Sequence, residues 1–157
     1  MATFQHKPLG GVVSARLYPT EAVESVIFSG GECRVELSGE CVDVLLLDDA
    51  SLYEEQLHNR RGAMLVEHRL TLVAERNQAL EWLDGSWQER LSTEGVVAVV
   101  GLNDGRELLV GYSSYFGAEQ PLHLDSLVSS SGRSVLDTPC LTLQLTSFDT
   151  RLSCEIK

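Results

Sequence analysis

Four histidines, four cysteines and an excess of carboxylates are what this chain of 157 residues could use for chemistry. His6, His58, His68 and His123 are scattered. No H-x-x-x-H or H-E-x-x-H pair sets two imidazoles on one helix face to grip a metal. Cys33, Cys41, Cys140 and Cys154 show no C-x-x-C spacing and no paired ligand pattern, so free thiols in a reducing compartment are the reading. Asp48, Asp49, Glu54 and Glu55 invite calcium, which takes oxygen ligands, but the D-x-D-x-D-G spacing that wraps a loop round one ion is missing, and a solvated loop accounts for them better. The stretch GYSSYFG (111–117) superficially resembles a nucleophile elbow, yet no serine has glycines two residues away on both sides, and no helix is expected to follow it. Neither G-x-G-x-x-G nor G-x-x-x-x-G-K occurs, so there is no phosphate cradle. These residues name no catalytic, cofactor-binding or metal site, and a non-enzymatic role is expected.

The elements that would position such groups are mostly strands, punctuated by glycine turns. Residues 1–11 carry Pro8 and Gly10-Gly11 without periodicity and read as a flexible N-terminal arm, ahead of a single β-rich domain over 12–157. Short β segments follow at 12–18, 23–28, 33–37 and 41–47, with turn signals at Gly30-Gly31 and Ser38-Gly39, and read as a meander of four strands. A two-residue turn at Ser38-Gly39 would set Cys33 opposite Val44 rather than Cys41, which disfavours a Cys33–Cys41 disulfide. The polar segment 48–62 reads as a long loop, or one holding a short helix from Ser51 to His58.

From Leu65 the signals strengthen. Met64, Val66, His68, Leu70 and Leu72 share one face of a strand, where His68 reads as a satisfied, half-buried histidine rather than a ligand. Ala79, Leu83, Trp87 and Leu91 recur at i+4, with Leu80 beside them, and predict one helix near residues 75–92 flanking a sheet. Asn77 could cap it. Gly85 inside it costs about 1 kcal/mol relative to Ala. Ser86 with Glu89 also spells a capping box, so a break into two helices is the alternative. Gly95 ends the helix, and VVAVVGL (96–102) is apolar enough to be a central strand covered on both faces. Asn103-Asp104-Gly105 turns the chain into 106–112. A loop at 113–121, a strand at 122–128, a small polar stretch at 129–134 read as mobile, an alternating strand at 140–147 and a short strand within 151–156 complete the series. The fold class is thus mainly β (α+β): an antiparallel β-sandwich or rolled sheet with one flanking helix. Trp82, off the helix stripe, and Tyr115 and Phe116, in the loop, are the candidate interaction residues.

The balance of 12 Lys+Arg against 23 Asp+Glu gives a formal charge of −11, which repels phosphate backbones and anionic lipid. Plain solubility explains such a surface equally well. No apolar run is long enough to span a membrane, and MATFQHKPLGGVV lacks the pattern of a secretory signal.

The run from HRLTLVAERNQALEWLDGSWQERL through GVVAVVGLNDGRELLVGYSSYFGAEQPLHLDSLVSSSG to LTLQLTSFDT resembles phage and prophage virion proteins of gut Bacteroidales, and its arrangement resembles the tail-tube class. The resemblance covers residues 65–150 and rests on a glycine-bounded hairpin, GYS, FG and a late SG loop. It implies a structural subunit of the tail tube, tail terminator or connector, assembled in the bacterial cytoplasm and residing in the virion. Its partners would be copies of itself, commonly in hexameric rings, other virion proteins, and DNA passing through an acidic channel without sequence recognition. No cofactor and no membrane are implied. Neighbour contacts are expected from the arm at 1–11 and from the segment 48–62. The alternative is a monomeric or dimeric β-rich protein-binding module using the 113–121 loop, and the third reading is an enzyme of unrecognised type.

Overall fold

The computed structural model describes residues 11–48, 50–133 and 136–157. Eleven strands among these residues form two sheets. Seven make the larger sheet: β1 (Val12–Pro19), β2 (Val23–Ser29), β3 (Glu32–Leu37), β4 (Val42–Val44), β7 (Val96–Leu102), β8 (Glu107–Val110) and β11 (Cys154–Ile156), in the order β2-β3-β11-β8-β7-β1-β4. The smaller sheet holds β5 (Leu52–Arg60), β6 (Ala63–Glu75), β9 (His123–Ser130) and β10 (Cys140–Asp149), in the order β5-β6-β10-β9. The described pairings are antiparallel except for β11 with β3, which is parallel.

The seven-stranded sheet is rolled, and its connectivity says why. β1 and β2 stand five positions apart, roughly 24 Å across a flat sheet. Yet a single 3-10 turn, Thr20–Ala22, joins them. So short a link reaches only if the sheet curls its β2 edge back towards β1. The concave face closes on Tyr18, Cys33, Val97, Val99, Leu109 and Cys154, with Val26, Phe28 and Val35 packed against them. The other face, carrying Ala15, Leu17, Ala98, Val100 and Val110, packs on Leu70, Leu72, Leu141, Leu143 and Leu145 of the smaller sheet. β7 lies between these two cores, so Val96 to Val100 are all buried, as uniform apolarity requires of a strand with no wet face. The sheets are laced together at Leu46↔Ala74 and at Val96↔Leu122.

The helical stretch divides. α1 (Arg76–Trp82) ends at Leu83, and α2 (Gly85–Glu89) starts afresh and runs into a π-helical turn, Arg90–Glu94. The cap of α2 is Asp84, whose carboxylate accepts from the Trp87 N–H at 3.0 Å. Ser86 lies inside α2 and Asn77 inside α1, so neither is the cap its type suggests. The stripe survives the break, because Ala79, Leu83, Trp87 and Leu91 all reach the core; Leu80 does not. Gly95 then turns the chain into β7 at φ 83°, with Pro121 so close that any Cβ there would stand 2.3 Å from its Cγ.

Three expectations need correction. Residues 48–62 are not a loop or helix: nine of them form β5, paired with β6 from Leu52↔Thr71 to Arg60↔Ala63 and joined to it by a two-residue turn with both φ positive, Arg61 at 53° and Gly62 at 86°. The N-terminal strands are not a meander, since β3 pairs with β2 and β11 while β4 pairs with β1. Ser38-Gly39 therefore links strands far apart in the sheet, and Cys33 faces neither Val44 nor Cys41. Ser129 and Ser130 belong to β9 instead of a polar loop. The expected arm lies outside the described residues except Gly11, whose carbonyl accepts from Asn103 N–H.

Candidate functional site

The smaller sheet is built of four strands, and both its outermost strands carry a free edge. Beyond Ser51, whose carbonyl accepts from Val12 N–H, β5 has no backbone partner besides β6 among the described residues. Along 123–130, β9 has none besides β10. Each free edge offers a row of unpaired donors and acceptors able to accept a further strand. Apolar side chains flank both rows: Leu52 and Leu57 on β5, Leu127 and Val128 on β9.

The β5–β6 hairpin also outruns its sheet. The last rung shared by β6 and β10 is Val66↔Asp149, whereas β5 and β6 continue to Arg60↔Ala63. Three further rungs, about 10 Å, thus project as a two-stranded ribbon. The apolar residues at its base and along it are half open to solvent: Leu57, opposite Val66 on the last shared rung, at 52%, and Met64 and Leu65 in the ribbon at 53% and 42%. An isolated ribbon of this kind gains little from its own packing and gains more against a neighbour.

The face of this sheet turned away from the core is mostly polar, with Thr71, Thr142, Gln144 and Thr146 beside Phe148. Arg69 is its main cation, 2.8 Å from Glu67. That hydrogen bond, aided by His58 at 3.5 Å, holds the Glu67 carboxyl below the ordinary carboxylate range. Glu54 and Asp125 add negative charge around the same guanidinium.

Where the ribbon leaves the sheet, a polar seam fastens residues 151–153 to it. His68 is only 3% exposed. Its Nε2 lies 2.9 Å from the Arg151 carbonyl and its Nδ1 2.9 Å from the Tyr53 hydroxyl. A carbonyl can only accept, so Nε2 carries the proton, and Tyr53 donates to Nδ1. Burial pushes the Tyr53 phenol well above its usual range. Glu55 accepts from both the backbone N–H and the hydroxyl of Ser153. Both imidazole nitrogens are thus engaged, as a satisfied histidine requires. The burial is deeper than the half-buried position expected of His68. A cavity of about 160 Å³ adjoins this seam, bounded by Phe28, Tyr112, Asp149, Arg151 and Cys154 among others.

The carboxylates that suggested calcium do not gather: Glu54 lies by Arg69 while Glu55 holds Ser153 on the opposite face, and Asp49 is outside the described residues. Among the described residues no cluster of His, Cys, Asp and Glu could hold a metal, and no helix is long and apolar enough to cross a membrane. Trp82 is half-buried, edge-on to Trp87 with ring centroids 6.1 Å apart, in a recess lined by Asp43, Leu45 and Glu81. Tyr115 is 74% exposed and sits edge-on to Phe116 at 4.8 Å. Their loop is closed by the Ser113↔Gly117 bridge and by Phe116 N–H donating to the Ser113 hydroxyl at 2.7 Å. Among the described residues, the recess that holds Trp82 is lined by neither Tyr115 nor Phe116. The free edge and tip of β5 went unrecognised in the sequence, where only the expectation of neighbour contacts from 48–62 pointed to them. Compared with family models, curated proteins and solved structures, the chain matches none.

Proposed function

We propose that this chain is a non-enzymatic structural subunit that joins copies of itself, edge to edge, into a ring around a DNA channel, as in a phage tail tube or its terminator and connector. The observation that carries the reading is the four-stranded sheet with two free edges, β5 and β9, flanked by apolar side chains. A strand edge that is an aggregation hazard in a monomer becomes the joint of a closed ring when each copy's β9 meets the next copy's β5. Six copies would contribute 24 strands, a barrel about 37 Å across between backbones at a strand spacing of about 4.8 Å, before strand tilt widens it. Such a lumen passes a duplex. The polar outer face, with Glu54, Glu67 and Asp125 around one Arg69, would line it, and a chain of net charge −11 offers phosphates little to hold. The projecting ribbon at 58–65, which carries β5 and β6 past the end of the shared sheet, would reach from one ring towards the next. On this reading the protein works in the virion after assembly in the bacterial cytoplasm, with other virion proteins as neighbours.

A second reading, a monomeric or dimeric protein-binding module, is favoured by one observation: the exposed Tyr115 ring held edge-on against Phe116 in a tightly closed loop. Light scattering across a concentration series, with negative-stain images of the same samples, separates the two. Rings or stacked tubes are the expected result. A monomer at every concentration that also stays monomeric with its neighbouring virion proteins would overturn the assembly reading, and capture of a partner lost on Tyr115→Ala would favour the second.

A further inference from the structure

We propose that Cys33 and Cys154 form an intramolecular disulfide site, a covalent clasp that a peroxide closes across the rolled sheet. The proposal is independent of the assembly reading. The two residues stand 121 positions apart in sequence, on the parallel neighbours β3 and β11, with their sulfurs 2.7 Å from each other. That is well inside the separation of sulfurs that are merely packed together. Closing to a bond of about 2.0 Å requires less than 1 Å of movement. Both side chains lie in the concave core, at 2% and 7% exposure, and β11 is flanked on its other side by β8. The cavity beside the polar seam ends on Cys154, and its volume of about 160 Å³ admits a molecule as small as hydrogen peroxide. Cys41 is exposed and Cys140 partly so, and neither has a cysteine neighbour among the described contacts.

The chemistry balances with hydrogen peroxide as oxidant. The Cys154 sulfur attacks one peroxide oxygen and the O–O bond breaks. One hydroxyl stays on sulfur as a sulfenic acid, and the other leaves as water with the thiol proton. The Cys33 sulfur then displaces that hydroxyl, which takes the Cys33 proton and leaves as the second water. Two thiols are oxidised by two electrons to one disulfide, and the peroxide is reduced to two waters. Burial pushes both thiols above the ordinary thiol range, so the reaction is slow at neutral pH and quickens as the pH rises.

The position of the clasp gives it mechanical meaning. β2 and β3 are attached to the rest of the sheet through β11, a strand of three residues. A Cys33–Cys154 bond would keep that hairpin in place when the three-residue ladder opens. The test uses the full chain carrying Cys41→Ser and Cys140→Ser, purified with reductant, freed of it and exposed to dilute hydrogen peroxide. Expected are the loss of two hydrogens in intact mass, a cross-linked peptide pair holding Cys33 and Cys154, and a rise in Tm of about 10 °C that reductant reverses. Added oxygen at either cysteine without a cross-link would overturn the proposal. So would cross-links only between chains, or a Cys33–Cys154 bond that leaves Tm unmoved.

Discussion

Tyr53→Phe is the substitution that most directly tests the polar seam. Phe keeps the ring and its volume, so no cavity opens, and only the hydroxyl is lost. That hydroxyl is the donor to His68 Nδ1 at 2.9 Å, on an imidazole almost wholly removed from water. The other nitrogen is committed to the Arg151 carbonyl, so the ring cannot simply turn over without giving up that bond. A buried acceptor left without a donor costs about 1–3 kcal/mol. For a chain of this length each kcal/mol moves Tm by about 2–4 °C, so a fall of about 2–12 °C is expected. Circular dichroism at neutral pH reads it, with Tyr115→Phe as the control, since that exposed hydroxyl has no comparable partner and its loss should leave Tm within about 1 °C. A Tyr53→Phe protein that melts with the parent would refute the assignment of the proton to Nε2 and the role of the seam in holding 151–153.

Replacing Leu57, Met64 and Leu65 together by serine should lower Tm only modestly, because all three side chains are already about half exposed in their own chain. Each half-exposed side chain gains about 1 kcal/mol on burial against a neighbour, so association weakens about 100-fold or more per contact, read by sedimentation or light scattering. Unchanged assembly would remove the ribbon from the interface. Gly95→Ala meets both a positive φ and the Pro121 ring, and should cost at least about 2 kcal/mol in urea unfolding; a smaller loss would mean the 95 and 121 backbones separate easily. Glu67→Gln tests the sign of the Arg69 pairing. The Arg69 hydrogen bond holds the folded pKa below that of an ordinary glutamate, so the ionised carboxylate contributes stability above the ordinary value, and the contribution is lost as pH falls through the folded one. The parent should be modestly more stable than the variant near pH 6 and lose that advantage on acidification. Solvent and salt screen this surface pair, and a stability difference that grew towards low pH would contradict the reasoning.

What could be read from the sequence was whatever local periodicity writes down. The uniform run Val96–Val100 announced a strand with two covered faces, and Leu141, Leu143 and Leu145 announced one with a single covered face. β5 stayed hidden because it is an edge strand whose tip has no core on either side. Tyr53, Glu55 and Leu57 alternate with Leu52, Glu54 and Gln56 without any contrast in polarity. Its turn was also unmarked, since Arg61 holds a positive φ that usually advertises itself through Asn, Asp or Gly. The helix break was half visible: Gly85 signalled it, but the new helix starts at Gly85 itself, which places Ser86 inside its first turn and leaves Asp84 to cap it through the Trp87 N–H. The pairing of β3 with β11, and with it the meeting of Cys33 and Cys154, has no local trace, because a parallel contact across more than a hundred residues depends on the closure of the whole sheet.

That pairing also orders events during synthesis. β11 follows the other ten strands along the chain, yet it occupies the middle of the rolled sheet, between β3 and β8. While the ribosome is still adding residues, β2 and β3 can form a hairpin but cannot dock, and the sides of β3 and β8 that will receive β11 stand open. Closure waits for residues 154–156, so the domain cannot mature progressively from its N-terminal end. Non-local closure of this kind folds slowly and leaves strand edges uncovered in the interval. The nascent chain therefore has two sets of unsatisfied edges on different schedules: one satisfied within the chain by β11, the other, on β5 and β9, still open among the described residues of the folded domain.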